Sequence, residues 1–200
     1  WSPAQLPTSV DDVIIPIGKA AIIESPGPVA KNITINSGSL LYIEATGTLT
    51  ASNSISNDGT FTIESDASNS GSVILGVLGG SNTATYQRYL SGGVWHLIST
   101  PLASQSVTIA DFITAHGADM TQSGEQYSLG TYDNSFPADG SSTWQNYTTG
   151  AGSNPPSVFA AFDNGIGYEI LMNSSGTVNF TGRISGGSGA TTVFLTENVT

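Results

Sequence analysis

The chain has 200 residues, of which 24 are glycine, 10% are charged and none is cysteine. Four basic side chains, Lys19, Lys31, Arg88 and Arg183, face fifteen acidic ones, and the resulting charge of −11 repels phosphate backbones and anionic lipid, which excludes nucleic acid as a partner. No disulfide framework braces the fold, and no apolar run approaches the roughly 20 residues of a membrane helix, so the chain is read as not membrane-spanning.

Helix formers are scarce and Gly, Ser, Thr and Asn abundant, which suits one large all-β domain or two smaller ones. Because it begins at Trp1 without an initiator Met, the chain is read as a mature or excised fragment of something longer. The first stretch, Trp1 to Ser9, is turn-rich and proline-bearing, and leads into Asp11-Asp12-Val13-Ile14-Ile15-Pro16, a first strand or cap. Such a cap covers the unpaired backbone and apolar side chains that the end of a stacked β-structure exposes. Short apolar runs follow at residues 20–23 and 32–35, the second alternating polar and apolar in the manner of a half-buried strand.

From Ile33 to Leu75 a small phrase recurs. Gly38-Ser39-Leu40, Gly47-Thr48-Leu49, Gly59-Thr60-Phe61 and Gly71-Ser72-Val73 each open a run with a glycine, a hydroxyl residue and a large apolar residue, at steps of 9, 12 and 12. A unit this short closes no core alone and must bury its apolar face against the next, as in a β-solenoid with roughly 24 residues to the coil. Period two places Leu41, Ile43, Leu49, Ala51, Phe61, Ile63, Val73 and Leu75 inside. Ser37-Gly38 and Asp58-Gly59 are expected to supply the positive φ of tight corners. The Ser, Thr and Asn residues between are the wet side of the coil.

Around residues 76–92 the glycine spacing stops and aromatic residues become frequent, which places a boundary near residue 83, with a solenoid over 1–83 and a second domain over 84–200. One helix is expected at Ile109 to His116, capped by Thr108, with Asp111 in its first turn, Gly117 at its end, and Ile109, Phe112 and Ile113 forming one stripe to lay on a sheet. Strands are expected at 86–90, 94–98, 127–132, 143–147, 167–172, 177–181 and 191–195, a number and spacing that suit an antiparallel β-sandwich or jelly roll, incomplete at its C-terminus.

Several phrases together carry a resemblance. The opening Trp1 to Ser9 with Asp11 to Pro16, the Gly-Thr-Leu/Phe repeats, and Arg88-Tyr89-Leu90 through Trp95-His96-Leu97-Ile98-Ser99-Thr100-Pro101 resemble the N-terminal region of large secreted Bacteroidetes surface proteins exported by the type IX secretion system. The resemblance covers nearly the whole chain. It implies a secreted or cell-surface protein with an adhesion or scaffold role and no catalytic site in this region; the C-terminal sorting domain such proteins carry is not in this sequence.

Candidate chemistry is sparse. A nucleophilic triad needs a base, and the two histidines are read as packed: His96 between Trp95 and Leu97 in a strand, and His116 in the last helical turn, where its positive form suits the helix dipole. Glu44 and Glu64, separated by close to one coil, could stack as the paired carboxylates of a polysaccharide-active solenoid, yet no Lys or Arg lies between Lys31 and Arg88 to hold an acidic sugar. Asp133, Asn134, Asp139, Asp163 and Asn164 are candidate calcium ligands in loops of the second part, without the spacing of a known calcium loop; beyond calcium no cofactor is expected. Tyr127, Tyr132, Trp144 and Tyr147 flank the same loops and are candidate carbohydrate-stacking residues.

The sequence therefore points to a non-catalytic secreted or cell-surface module for display or adhesion, which meets an extracellular glycan or protein or associates with itself. The alternatives are a carbohydrate-binding module centred on Trp144 and a polysaccharide-active solenoid using Glu44 and Glu64.

Overall fold

A computed structural model describes residues 5–79, 83–100, 102–105, 108–132, 144–149, 161–162 and 166–184. Over these residues the chain is nearly all β with one short helix, and it divides into two compact units.

The first unit is a β-solenoid. One parallel sheet stacks β1 (Asp12–Ile15), β3 (Pro26–Ile35), β5 (Thr48–Asn57) and β7 (Ser72–Gly79) in that order. A second stacks β2 (Ala20–Ile23), β4 (Leu40–Ile43), β6 (Thr60–Ile63) and β8 (Ala84–Leu90). Register is carried by like residues: Val13 lies beside Ile33 and Ile33 beside Ile55, while Leu41 lies beside Phe61 and Phe61 beside Ala84. The coil is not uniform. Asp12 pairs with Asn32 but Leu49 pairs with Val73, so a later coil takes in more chain than the first.

Alternation fills the interior, broken in β5 where Ser52 and Asn53 are both exposed. Ile33, Ile35, Leu41, Ile43, Leu49, Ala51, Ile55, Phe61 and Ile63 form one buried cluster, with Val73 and Leu75 packed against it and Ile74 turned outward. Each fully buried Ile, Leu or Phe stabilises the stack by about 1.5–3 kcal/mol of transfer free energy. Polar side chains are buried in this unit too, Ser39, Asn57 and Ser65 among them. Asn57 is fully buried, donates to the Thr83 carbonyl at 3.1 Å and accepts from the Gly59 amide at 3.0 Å, so its amide ties a corner to the following coil.

The glycines act in two ways. Gly38 has φ of +74° with open space around it, as a tight turn demands. Gly59 does not adopt positive φ. Its need is room: a Cβ there would meet the carbonyl oxygens of Ser39 and Asn36 in the preceding coil, and at Gly47 a Cβ would meet that of Ile23. At Gly47 and Gly59 the repeated glycine is thus where one coil's corner lies against the backbone of the last.

The solenoid opens where it begins. Leu6 and Pro7 line grooves beside β1 and β2 that reach core residues Ile15 and Leu41. Asp11 closes the turn leading in, accepting from the Thr8 amide and hydroxyl at 2.8 and 2.6 Å, bonds that hold its carboxyl below the usual value.

This first unit runs past residue 83. It extends to Tyr89 because β8 continues the parallel ladder on β6, and it takes in β10 (Leu102–Gln105) and the chain from Thr177, since β15 (Gly176–Ile184) lies next to β8 with β10 antiparallel on its other side. The expected strand at 191–195 lies outside the described residues.

The second unit, built from Leu90–Thr100 and Val107–Gly176, is an antiparallel sheet with a helix. β9 (Trp95–Ile98) pairs with β14 (Tyr168–Leu171), β14 with β12 (Gln126–Tyr132), and β12 with both β11 (Gln122–Ser123) and β13 (Trp144–Thr148). The second sheet of a sandwich is not found in this unit among the described residues. Helix α1 (Ile109–His116) begins with a reciprocal cap: the Thr108 hydroxyl accepts from the Asp111 amide at 3.1 Å, and the Asp111 carboxylate accepts from the Thr108 amide at 3.0 Å. Its buried stripe is Ile109, Phe112 and Ile113. Phe112 meets Phe162 edge-on at 4.9 Å, and Phe162 meets the buried Tyr168 of β14 likewise at 4.9 Å, so this chain of rings covers one face of the sheet.

Candidate functional site

Because side chains alternate along each strand, the register of the antiparallel sheet sorts its residues into two faces. The row Gln145, Thr131, Tyr168 and Ile98 is buried and belongs to the covered face. The neighbouring row, Asn146, Gly130, Glu169 and Leu97, belongs to the other. Flanking it on that same face, Tyr132 pairs with Trp144, and Trp95 pairs with Leu171.

This second face is apolar and open. Leu97 is 76% exposed, Tyr132 55% and Trp95 52%. The Tyr132 and Trp144 rings meet edge-on with centroids 5.4 Å apart, which holds both in place. At the centre, Gly130 leaves room for the Asn146 amide: a Cβ there would collide with Asn146 Oδ1. That oxygen is shielded from solvent and has no hydrogen-bond partner among the described residues, and the same holds for Thr148 Oγ1 on the same strand. Beside them burial raises the pKa of the Glu169 carboxyl, a titratable group on this face.

The four aromatic residues singled out from the sequence are therefore divided. Tyr132 and Trp144 stand on the open face. Tyr127 and Tyr147 stand on the other, with centroids 6.1 Å apart, and the Tyr127 ring lies against Gly117 at the end of α1. Trp95 and Leu97 complete the open face instead. Their signal was present, for they alternate with His96 and Ile98, but they lie far ahead of Tyr132 in the chain and nothing local says that β9 joins the same sheet.

Asp133, Asn134, Asp139, Asp163 and Asn164, the candidate calcium ligands, all lie outside the described residues. Among the described residues no three His, Cys, Asp or Glu side chains are grouped to hold a metal ion. No helix among them is long and apolar enough to cross a membrane.

His96 is half-buried and its Nε2 donates to the Ser91 carbonyl at 2.9 Å, with the Ser91 hydroxyl at 3.2 Å. His116 lies in the last turn of α1, as the sequence suggested. Burial holds its pKa below the ordinary value, with the Asp119 charge only partly opposing, and its ring lies 4.8 Å from that of Phe112.

On the solenoid, Glu44 and Glu64 do occupy equivalent positions of consecutive coils, and Glu24 continues the series. Each follows an Ile of the register Ile23, Ile43, Ile63, with the Glu44 amide donating to the Ile23 carbonyl and the Glu64 amide to that of Ile43. The Tyr42 hydroxyl donates to the Glu64 carboxylate. That bond, burial and the charges of Glu64 and Glu44 push the Tyr42 phenol up to about 12. The three residues stand in register on successive coils, and the Glu64 carboxylate is engaged by Tyr42.

No family model, curated protein or solved structure matches the chain. The fold and the open face must speak for function by their own geometry.

Proposed function

We propose that this chain is a non-catalytic module of a secreted or cell-surface protein, with the solenoid acting as a spacer and the open face of the antiparallel sheet as its contact surface. One observation carries the reading: Trp95, Leu97, Tyr132 and Trp144 come from three strands to a single face while the opposite face of the same sheet is covered. Scattered exposed apolar residues are ordinary on any surface, whereas large rings and a leucine gathered on one open face of a sheet, around a polar centre, mark an interaction site. The phrases resembling type IX-exported Bacteroidetes surface proteins, and a charge of −11 that keeps such a chain soluble, support the same assignment.

The test is retention of the labelled full chain on intact cells and on extracellular matrix. A triple variant, Trp95→Ala, Leu97→Ala and Tyr132→Ala, should lose retention while keeping its circular dichroism spectrum. Equal retention of parent and variant would reject the contact surface. Release of reducing sugar from polysaccharides by the parent chain, abolished in Glu64→Gln, would reject the non-catalytic reading.

A further inference from the structure

We infer that the open face of the antiparallel sheet binds an uncharged oligosaccharide, whose rings stack on Trp95 and on the Tyr132 and Trp144 pair and whose hydroxyl groups donate to Glu169. The inference rests on the contact surface proposed above and names its ligand.

Three observations lead to it. The first is shape. The face is part of a sheet, and its rings stand at opposite corners: Trp144 is three strands from Trp95 and four residues along, roughly 14 Å across and roughly 13 Å along the strands. A single sugar ring spans neither distance, but a chain of them lies along the diagonal. The flat, weakly polar faces of pyranose rings match indole and phenol faces, which give large contact area with little loss of side-chain freedom.

The second is the polar chemistry between the rings. Glu169 sits midway, paired across β14 with Leu97 on one side and Gly130 on the other, and Asn146 Oδ1 reaches over Gly130 with no donor among the described residues. Of the two, Glu169 is the acceptor a ligand can reach, since Asn146 Oδ1 is shielded from solvent. A sugar presents a row of hydroxyl donors at its equator and apolar C–H faces above and below, the same alternation that this surface offers. An apolar protein partner would leave the carboxylate buried and unpaired.

The third is charge. All four of the chain's basic residues are accounted for elsewhere in sequence, at Lys19, Lys31, Arg88 and Arg183, and none belongs to β9, β12, β13 or β14. On these four strands an acidic glycan would therefore meet Glu169 with no basic residue of the same strands to neutralise either group, within a molecule of net charge −11. A neutral glycan meets no such repulsion, and its hydroxyls form charge-assisted bonds to the carboxylate.

The experiment is calorimetric and fluorescence titration of the full chain with soluble hexasaccharides of β-1,4-glucan, β-1,4-mannan and β-1,3-glucan, with oligogalacturonate as the anionic comparator. At least one neutral hexasaccharide should bind and perturb tryptophan fluorescence, and the corresponding disaccharide should bind at least tenfold more weakly. Trp95→Ala and Trp144→Ala should each lower affinity at least tenfold, Trp95→Phe should restore part of it, and Glu169→Gln should weaken binding without unfolding the chain. Tyr127→Phe, on the covered face, should leave affinity within twofold. The inference is overturned if no neutral hexasaccharide binds at millimolar concentration, if oligogalacturonate binds as well, or if Trp95→Phe fails like Trp95→Ala. Absent sugar binding combined with cell retention that depends on Trp95 would overturn the sugar alone and leave the contact surface standing; loss of both would overturn the surface too.

Discussion

Gly59→Ala tests the packing of coil on coil. A Cβ at this position would lie 2.6 Å from the Asn36 carbonyl oxygen and 2.9 Å from Ile35 Cγ2, with the Ser39 carbonyl oxygen nearer still. The two carbonyls are backbone, so no rotamer change relieves the contact. Restoring an ordinary 3.4 Å to the Asn36 oxygen requires a separation of 0.8 Å, that is 3.4 less 2.6. The same displacement stretches the Thr60 to Ser39 backbone bond, 2.9 Å in the parent, beyond hydrogen-bonding range. Overpacking at about 1–3 kcal/mol and one lost bond at about 0.5–1.5 kcal/mol give an expected destabilisation of about 2–4 kcal/mol. Gly38 is the control, for it needs positive φ and meets nothing within 4 Å. Gly38→Ala should cost about 1–2 kcal/mol, and Gly38→Asn less, because Asn tolerates the left-handed region. Urea unfolding followed by far-ultraviolet circular dichroism, with the slope m unchanged, reads each difference. Were Gly59→Asn no worse than Gly38→Asn, or Gly59→Ala within about 0.5 kcal/mol of the parent, the close-stacking account would fail.

Two predictions concern titration. Burial holds His116 below its ordinary 6.5, so the unfolded chain binds more protons between the folded value and 6.5, and stability is lost as pH falls through that window. His116→Gln should flatten this part of the stability profile between neutral and mildly acidic pH; an unchanged slope would mean the ring is not desolvated. Tyr42 is raised to about 12 from 10.0, so its contribution is present below 10.0 and lost as pH rises through the folded value. An alkaline titration of phenolate absorbance should show one late tyrosine, and Glu64→Gln should bring it back toward 10.0; a late tyrosine that persists in the variant would refute the hydrogen bond as cause.

The solenoid was legible because its information is local. Leu41 and Ile43, Leu49 and Ala51, Phe61 and Ile63 stand two apart in the sequence, and two apart is the period of a strand with one buried face. The cap of α1 was legible for the same reason, since Thr108 and Asp111 sit within one turn. The role of Gly59 was not, because the atoms that exclude a side chain there belong to residues 35, 36 and 39 of the previous coil. The contact face was half legible. Tyr132 and Trp144 stood out, but their separation from Tyr127 and Tyr147 was decided by the sheet: β12 is irregular against β13 between Gln126 and Gly130, so an odd step in the numbering does not by itself assign a face.

Taken alone, the sequence determined that strands form, how they alternate, where the chain turns, and that coils of repeating composition stack. Those properties follow from side-chain period and glycine placement over a few residues. Tertiary structure alone decided which strands are neighbours: β15 beside β8 although nearly half the chain separates them, and β9 at the edge that brings Trp95 to the face holding Trp144. Backbone hydrogen bonds are the same for any strand, so the choice of partner is settled by packing between distant segments, which no local pattern records.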